Sequence, residues 1–146
     1  MRAAAVGARI RIVIADDHAL YRKCLGVVMI LDGDIEVVGE AGDGHEAVAL
    51  ALSVRPDVVV IDNQMPRLGG IDAARAITDQ APDTRVLMLT MSELATDLQQ
   101  AVEAGVSGYV LKDSTGEEVA EAVRAVHRGQ QVLPPHLRRP AVPLNP

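Results

Sequence analysis

The stretch RPDVVVIDNQMPRLGG, Arg55 to Gly70, decides the fold. Its apolar run, Val58 to Ile61, reads as a strand buried in a core, and it ends abruptly in an acid, Asp62. A turn bearing Met65-Pro66 and the pair Gly69-Gly70 follows at once. A core strand that delivers a carboxylate to its own tip raises the question of what else arrives there.

Working outward, the same alternation of apolar run and helix-period segment occurs five times. RIRIVIAD precedes HALYRKCLGVVMIL, IEVVGEAG precedes HEAVALALSVR, and DVVVID precedes GIDAARAITDQ. RVLMLTMS then leads into ELATDLQQAVEAG, and GYVLKD into EEVAEAVRAVHRG. Runs dense in Val and Ile, each separated from the next by a helix, predict parallel strands covered on both faces. The class is α/β, five strands and five helices, with right-handed crossovers. Val119, Ala122, Val123 and Val126 form one helical stripe, and Ser114 to Glu117 is a candidate capping box before it. Gly105 and Gly129 stand where helix stops are expected. Cys24 shares a stripe with Leu20, Val27 and Leu31, which predicts a buried structural thiol.

The 146 residues suit one domain with one core, and 49% hydrophobic content is ample to build it. Residues 1–8 read as an extension and 9–130 as the folded domain. Residues 131–146 read as a linker or tail, since five of the last 13 residues are proline. No apolar run approaches the roughly 20 residues of a membrane span, and the N-terminus lacks a signal-peptide pattern, so a cytoplasmic protein is expected. A net charge of −6 removes the electrostatic footprint of a nucleic-acid binder, and the absence of Phe and Trp removes the usual stacking platform.

In an open parallel sheet, ligands gather outside the carboxyl ends of the strands where strand order reverses. The residues there are Asp16 and Asp17, Asp62, Thr90, and Lys112. Each alone has an ordinary structural explanation as a cap, a strand former or a solvated charge. Together, three carboxylates repel one another and call for a cation. Mg2+ favours oxygen ligands and leaves coordination positions for substrate phosphate. Mg2+, an amine and a hydroxyl around one carboxylate are what phosphoryl transfer onto that carboxylate needs, with Asp62 as candidate nucleophile. His18, beside two acids, reads as a first-turn residue before a metal ligand, and His45, His127 and His136 carry no role.

These segments resemble the receiver domains of two-component response regulators, in particular the NarL/FixJ (LuxR-type) subfamily. The resemblance rests on IVIADDHALYR, VVVIDNQMPRLGG, VLMLTMS and GYVLKD in order, and covers residues 9 to 133. It implies a flavodoxin-like (βα)5 open parallel sheet with helices on both faces. It implies Asp62 as the phosphorylated aspartate, Asp17 as direct Mg2+ ligand with Asp16 beside it through water, and the backbone carbonyl of Gln64 completing the metal contacts. Thr90 and Lys112 would bind the phosphoryl group, with Thr90 and Tyr109 as the switch pair. It further implies a sensor histidine kinase as partner, a homodimer on phosphorylation, and DNA contact only through a C-terminal helix-turn-helix domain outside this chain.

The sequence departs from the wider family in places. Lys112 is followed by Asp113 where many receivers have proline, so a trans bond is expected. The loop Arg67-Leu68-Gly69-Gly70 lacks the acid that often precedes its last glycine, and Gln64 and Ser92 offer no carboxylate at the mouth of the site. Three functions stay open: a regulated phosphoacceptor, a Mg2+-dependent phosphohydrolase, and a pseudo-receiver that never sees phosphate. Gln64 counts against the hydrolase, whose family places a second acid two residues after the nucleophile. The intact acids, Thr90 and Lys112 count against the pseudo-receiver. A stand-alone receiver acting by contact is the alternative to one excised from a DNA-binding regulator.

Overall fold

A computed structural model describes residues 9–91 and 94–133. The five alternations become β1 (Ile10–Ala15), α1 (Ala19–Met29), β2 (Ile35–Ala41), α2 (Gly44–Val54), β3 (Val58–Asp62), α3 (Gly70–Gln80), β4 (Arg85–Thr90), α4 (Ala95–Glu103), β5 (Gly108–Leu111) and α5 (Gly116–His127). All strand pairs are parallel, in the order β2-β1-β3-β4-β5. This is the expected flavodoxin-like (βα)5 arrangement. The strand order reverses between β1 and β3, which opens a crevice at their carboxyl ends.

The uninterrupted apolar run of β3 follows from its central place. Val59 and Ile61 pack on one side of the sheet with Ala47, Ala73 and Ile77 from α2 and α3. Val58 and Val60 pack on the other side with Leu25, Met29, Val119 and Val123 from α1 and α5. Both faces are dry, so alternation with polar residues has no place there. The edge strand β2 instead exposes Glu36 and Glu40, and a bulge skips Val38 in its register with β1. No helix among the described residues is long and apolar enough to cross a membrane.

Two local expectations are corrected. The stripe of Leu20, Cys24, Val27 and Leu31 faces outward: Cys24 is exposed, and the three apolar residues are 78%, 61% and 71% exposed. The buried face of α1 is the neighbouring stripe of Leu25 and Met29, with Tyr21 packed alongside. Both stripes are apolar and helix-periodic, so period alone could not tell which one met the sheet. The capping box also lies one residue later. Ser114 donates its N–H to the Leu111 carbonyl in a turn at the end of β5, which leaves Thr115 extended and able to accept from Glu118 N–H. The Glu118 side chain accepts from Thr115 N–H in return.

Gly105 and Gly129 do follow their helices in left-handed conformation, at φ +96° and +92°. The Lys112–Asp113 bond is trans, as expected. The loop after β3 is drawn tight: a Cβ on Gly70 would collide with the Asp62 carbonyl and lie 2.7 Å from Asn63 Cα. Gly69 caps α3 without a side-chain bond, and Arg67 adopts φ +67°. Beyond α5, Val132 bridges Gly108 at the edge of β5, accepting from Tyr109 N–H at 2.8 Å and donating to the Ser107 carbonyl at 3.1 Å. Leu133 packs in the same cluster as Tyr109. Ser92, His136 and the proline tail from residue 134 lie outside the described residues.

The cap assignment is testable by paired substitution. Thr115→Ala is expected to cost about 1 kcal/mol in urea unfolding, the usual loss of an N-cap. Ser114→Ala is expected to stay within about 0.5 kcal/mol, as for an ordinary surface change. The reverse order would restore the capping box to Ser114.

Candidate functional site

The register of the sheet brings the strand-end residues into one row. Ala15 is opposite Ile61, so Asp16 follows β1 beside Asp62 at the tip of β3. Asp62 is opposite Leu89, which sets Thr90 one step further on, and Thr90 is opposite Leu111. Lys112 N–H then donates to the Thr90 carbonyl at 2.7 Å, turning its side chain's origin into the same row. The expected convergence of Asp16, Asp17, Asp62 and Lys112 is therefore a matter of contact as well as topology. Carboxylate oxygens of Asp16, Asp17 and Asp62, with a ring nitrogen of His18, all lie within 4.8 Å of one another. A cleft lined by Asp17, His18, Asp62, Asn63, Gln64, Met65, Pro66, Met91 and Lys112 opens over them.

Burial differs sharply along the row. Asp16, Asp62 and Thr90 are buried, while Asp17 and His18 are exposed at the mouth. The Asp16 carboxylate is anchored through Oδ1, which accepts from His18 N–H at 2.8 Å. Its carbonyl accepts from Arg22 Nη1 at 2.5 Å, and Arg22 Nε is held in turn by Glu40 at 2.8 Å. Asp62 Oδ1 accepts from Gln64 N–H and Oδ2 from Lys112 Nζ, both at 3.2 Å. His18 caps α1 by position without a side-chain bond, its Nδ1 3.4 Å from Asp16 and 3.3 Å from Asp17. Its ring thus sits within the acidic group, closer than a bystander in the first turn.

Lys112 Nζ stands 2.7 Å from Asp16 Oδ2 but outside hydrogen-bond alignment, so this buried oxygen has an ion pair and no hydrogen-bond partner. Buried acceptors are rarely left so. Three carboxylates against one ammonium also leave two negative charges in excess when all are ionised. An oxygen-rich set with that excess of negative charge fits a hard divalent cation. The acidic cluster could hold a metal ion through Asp16, Asp17 and Asp62.

Burial and neighbouring charge act differently on the two members of the pair. Burial pushes the Asp62 pKa up, with a smaller upward push from Asp16, against the stabilising Gln64 N–H and Lys112. Burial alone would lower the Lys112 pKa, but the close carboxylates of Asp16 and Asp62 outweigh that and leave it raised. Lys112 is therefore cationic at neutral pH, and Asp62 is the anion held at a cost. Tyr21, assigned no role from the sequence, joins the site: Lys112 Nζ lies 4.6 Å from its ring centroid. Tyr109 is fully buried near the base of α4, in one cluster with Leu98, Ala101 and Leu133.

A raised folded pKa means that stability is present in full below the unfolded value of 3.8 and is lost as pH rises through the folded value. Asp62→Asn removes this loss. In chelator-treated protein the variant is expected to melt above the wild type at pH 7, with the gain shrinking as pH falls toward 4. A gain that grows on acidification, or a destabilised variant at pH 7, would contradict the buried-charge account.

Comparison with known proteins adds the family. Residues 12–124 match the response regulator receiver domain family. The chain is 41% identical over 125 residues to the uncharacterized transcriptional regulatory protein YxjL of Bacillus subtilis, covering 86% of this chain and 57% of that protein. It is 36% identical over 129 residues to the probable transcriptional regulatory protein NarL of Mycobacterium tuberculosis, covering 88% of this chain and 60% of that protein. The chain thus spans less than two thirds of these relatives. Among solved structures, the signal receiver domain of the putative response regulator NarL from M. tuberculosis superposes with a TM-score of 0.81 at 36% identity, covering 84% of this chain and 98% of that one. A LuxR-family two-component response regulator from Aurantimonas superposes with a TM-score of 0.84 at 35% identity, covering 88% of this chain and 92% of that one. With the acid row at the strand ends and these likenesses together, the chain belongs to the response regulator receiver domains, with relatives in the NarL/LuxR family.

Proposed function

We propose that this receiver domain accepts a phosphoryl group on Asp62 from a sensor histidine kinase. The observation that carries this reading is the double hold on one carboxylate: Gln64 N–H on Oδ1 and the Lys112 ammonium on Oδ2, at the mouth of a cleft. The same hold that restrains the carboxylate would restrain a phosphoryl group attached to it. Burial makes Asp62 more basic than an ordinary carboxylate, and hence a better nucleophile once ionised.

In the transfer a carboxylate oxygen of Asp62 bonds to phosphorus as the bond to the kinase imidazole nitrogen breaks. The electron pair leaves with that nitrogen, and because the other ring nitrogen carries a proton the kinase side chain departs as a neutral imidazole. Asp17, Asp16 and Asp62, with the Gln64 carbonyl, would hold Mg2+, which when bound supplies charge neutralisation to the phosphoryl oxygens. Lys112 would neutralise a further oxygen, and Thr90 would supply a hydroxyl donor from β4. The domain catalyses its own phosphorylation and dephosphorylation, acting as a phosphoacceptor and not as a turnover enzyme.

The signal then leaves through Thr90. Drawing its hydroxyl toward phosphate repacks Tyr109, already inside, against Leu98 and α4, where Leu94 and Val102 are exposed. A domain that samples the active form at about 1% needs roughly 2.7 kcal/mol to reach half occupancy. One hydrogen bond to a charged group, about 1.5 to 3 kcal/mol, is of that size. Output would pass to a homodimer and, as the relatives' names suggest, to transcription through a C-terminal DNA-binding domain in the cytoplasm.

Incubation with Mg2+ and acetyl phosphate is expected to add one phosphoryl group by intact mass, labile to hydroxylamine, with Asp62→Asn reducing labelling by at least about 100-fold. Labelling of that variant at the wild-type rate would move the acceptor. Asp17→Asn is expected to weaken Mg2+ binding about tenfold or more by titration calorimetry. Thr90→Ala is expected to take phosphate on Asp62 while losing most of the shift of the Tyr109 ring resonances that a beryllofluoride mimic produces. A full Tyr109 shift in Thr90→Ala would remove Thr90 from the switch.

A further inference from the structure

We propose that Tyr21 is a positioning residue for Lys112, its ring face holding the lysine ammonium at the site while the two carboxylates that bind it in the free domain turn to other partners. The inference rests on the phosphoacceptor reading above and extends it to a residue on α1. The Lys112 side chain is mostly buried, and among the described residues its ammonium faces Asp16 Oδ2 at 2.7 Å, Asp62 Oδ2 at 3.2 Å, and the Tyr21 ring, with its centroid 4.6 Å from Nζ. That separation is well inside the roughly 6 Å range of cation–π attraction.

The need for a third neighbour follows from what the other two must do. A cation held by Asp16, Asp17 and Asp62 would draw on the two carboxylates that Lys112 now faces and would repel its charge. A phosphoryl group on Asp62 occupies a carboxylate oxygen outright. An ammonium that loses both partners would extend into solvent, since a lysine stem is flexible and its head strongly hydrated. The ring remains. It carries no formal charge, so it neither adds a fourth anion to a crowded cluster nor competes for the metal. Its attraction also has no single hydrogen-bond direction, so the ammonium can pivot from carboxylate to phosphoryl oxygen without leaving it.

Local structure fixes the ring where this requires. Tyr21 lies in the first turn of α1, three residues after the His18 cap, and packs on the cluster of Leu25, Met29, Val60 and Leu89. That packing is independent of the ligands of the site. Burial is the main influence on the Tyr21 hydroxyl and pushes its pKa up from the usual 10.0, so the ring stays neutral in the working pH range. An aliphatic residue could fill the same apolar space but could not attract a cation.

The test reads the lysine directly. In wild-type protein the Lys112 side-chain Hε and Nζ proton resonances are expected upfield of ordinary lysine values, shifted by the ring current, and to remain so with Mg2+ and with Mg2+ plus beryllofluoride. Tyr21→Phe is expected to keep both the shift and the rate of phosphorylation by acetyl phosphate. Tyr21→Leu is expected to lose the shift and to slow phosphorylation about tenfold, with the melting temperature as a control for packing. Equal shifts and rates in Leu and wild type would overturn the proposal, as would a Phe variant as slow as Leu. If Tyr21→Leu fails to fold, unshifted Lys112 resonances in the wild type would overturn it alone. A wild type that takes no phosphoryl group but shows the shifted lysine would instead overturn the phosphoacceptor reading and leave the lysine on its ring.

Discussion

Crowding of negative charge at the carboxyl ends of β1 and β3 is the constraint on which the rest of this structure depends. Asp16 and Asp62 are both almost wholly removed from water, and Asp17 stands beside them at the surface. A buried carboxylate loses several kcal/mol of hydration unless a partner offsets it, and two side by side also repel. Lys112 offsets part of this, and it can do so only because β5 ends in register with β4 and β4 with β3. The excess negative charge that remains leaves a cation much to gain.

That cost is borne by an unusually dry sheet. Val58 to Ile61 have no solvent exposure, and the strands on either side, β1 and β4, are nearly as well covered. Each face is built from a different set of helices, with α1 and α5 on one side and α2, α3 and α4 on the other. The polar ends of the central strands therefore project from a rigid base. On that base Asp16 Oδ2 is within ion-pair distance of Lys112 yet not aligned with it, and Asp62 is held from both oxygens.

The same architecture couples the site to the far edge of the sheet. Lys112 and Tyr109 belong to one short segment, and the backbone of Tyr109 is bonded to Val132, at the start of the chain beyond α5. Leu133 shares the cluster of Tyr109 and Leu98. A displacement of the ring would be felt by α4 and by the segment leaving the domain, two places where a receiver can hand its state to something else.

Much of this could be read from the residues alone. Five apolar runs spaced by helical segments determined the fold class, because a strand buried on both faces has no choice but to be apolar at every position. The strand-end residues Asp16, Asp17, Asp62, Thr90 and Lys112 were also legible, because in parallel strands linked by helices all carboxyl ends lie on one side. Three things were decided only by tertiary structure. Which apolar stripe of α1 turned inward depended on the angle at which the helix met the sheet, so Cys24 lies outside and Leu25 inside. The cap of α5 moved from Ser114 to Thr115 because the turn closing β5 used the Ser114 N–H first. Tyr21 came under Lys112 across 91 residues of sequence, and no local pattern encodes a contact between a helix's first turn and the end of a strand three places away in the sheet. Periodicity and chemistry are local and survive in the sequence; the direction in which a periodic face points is a property of the assembled layers.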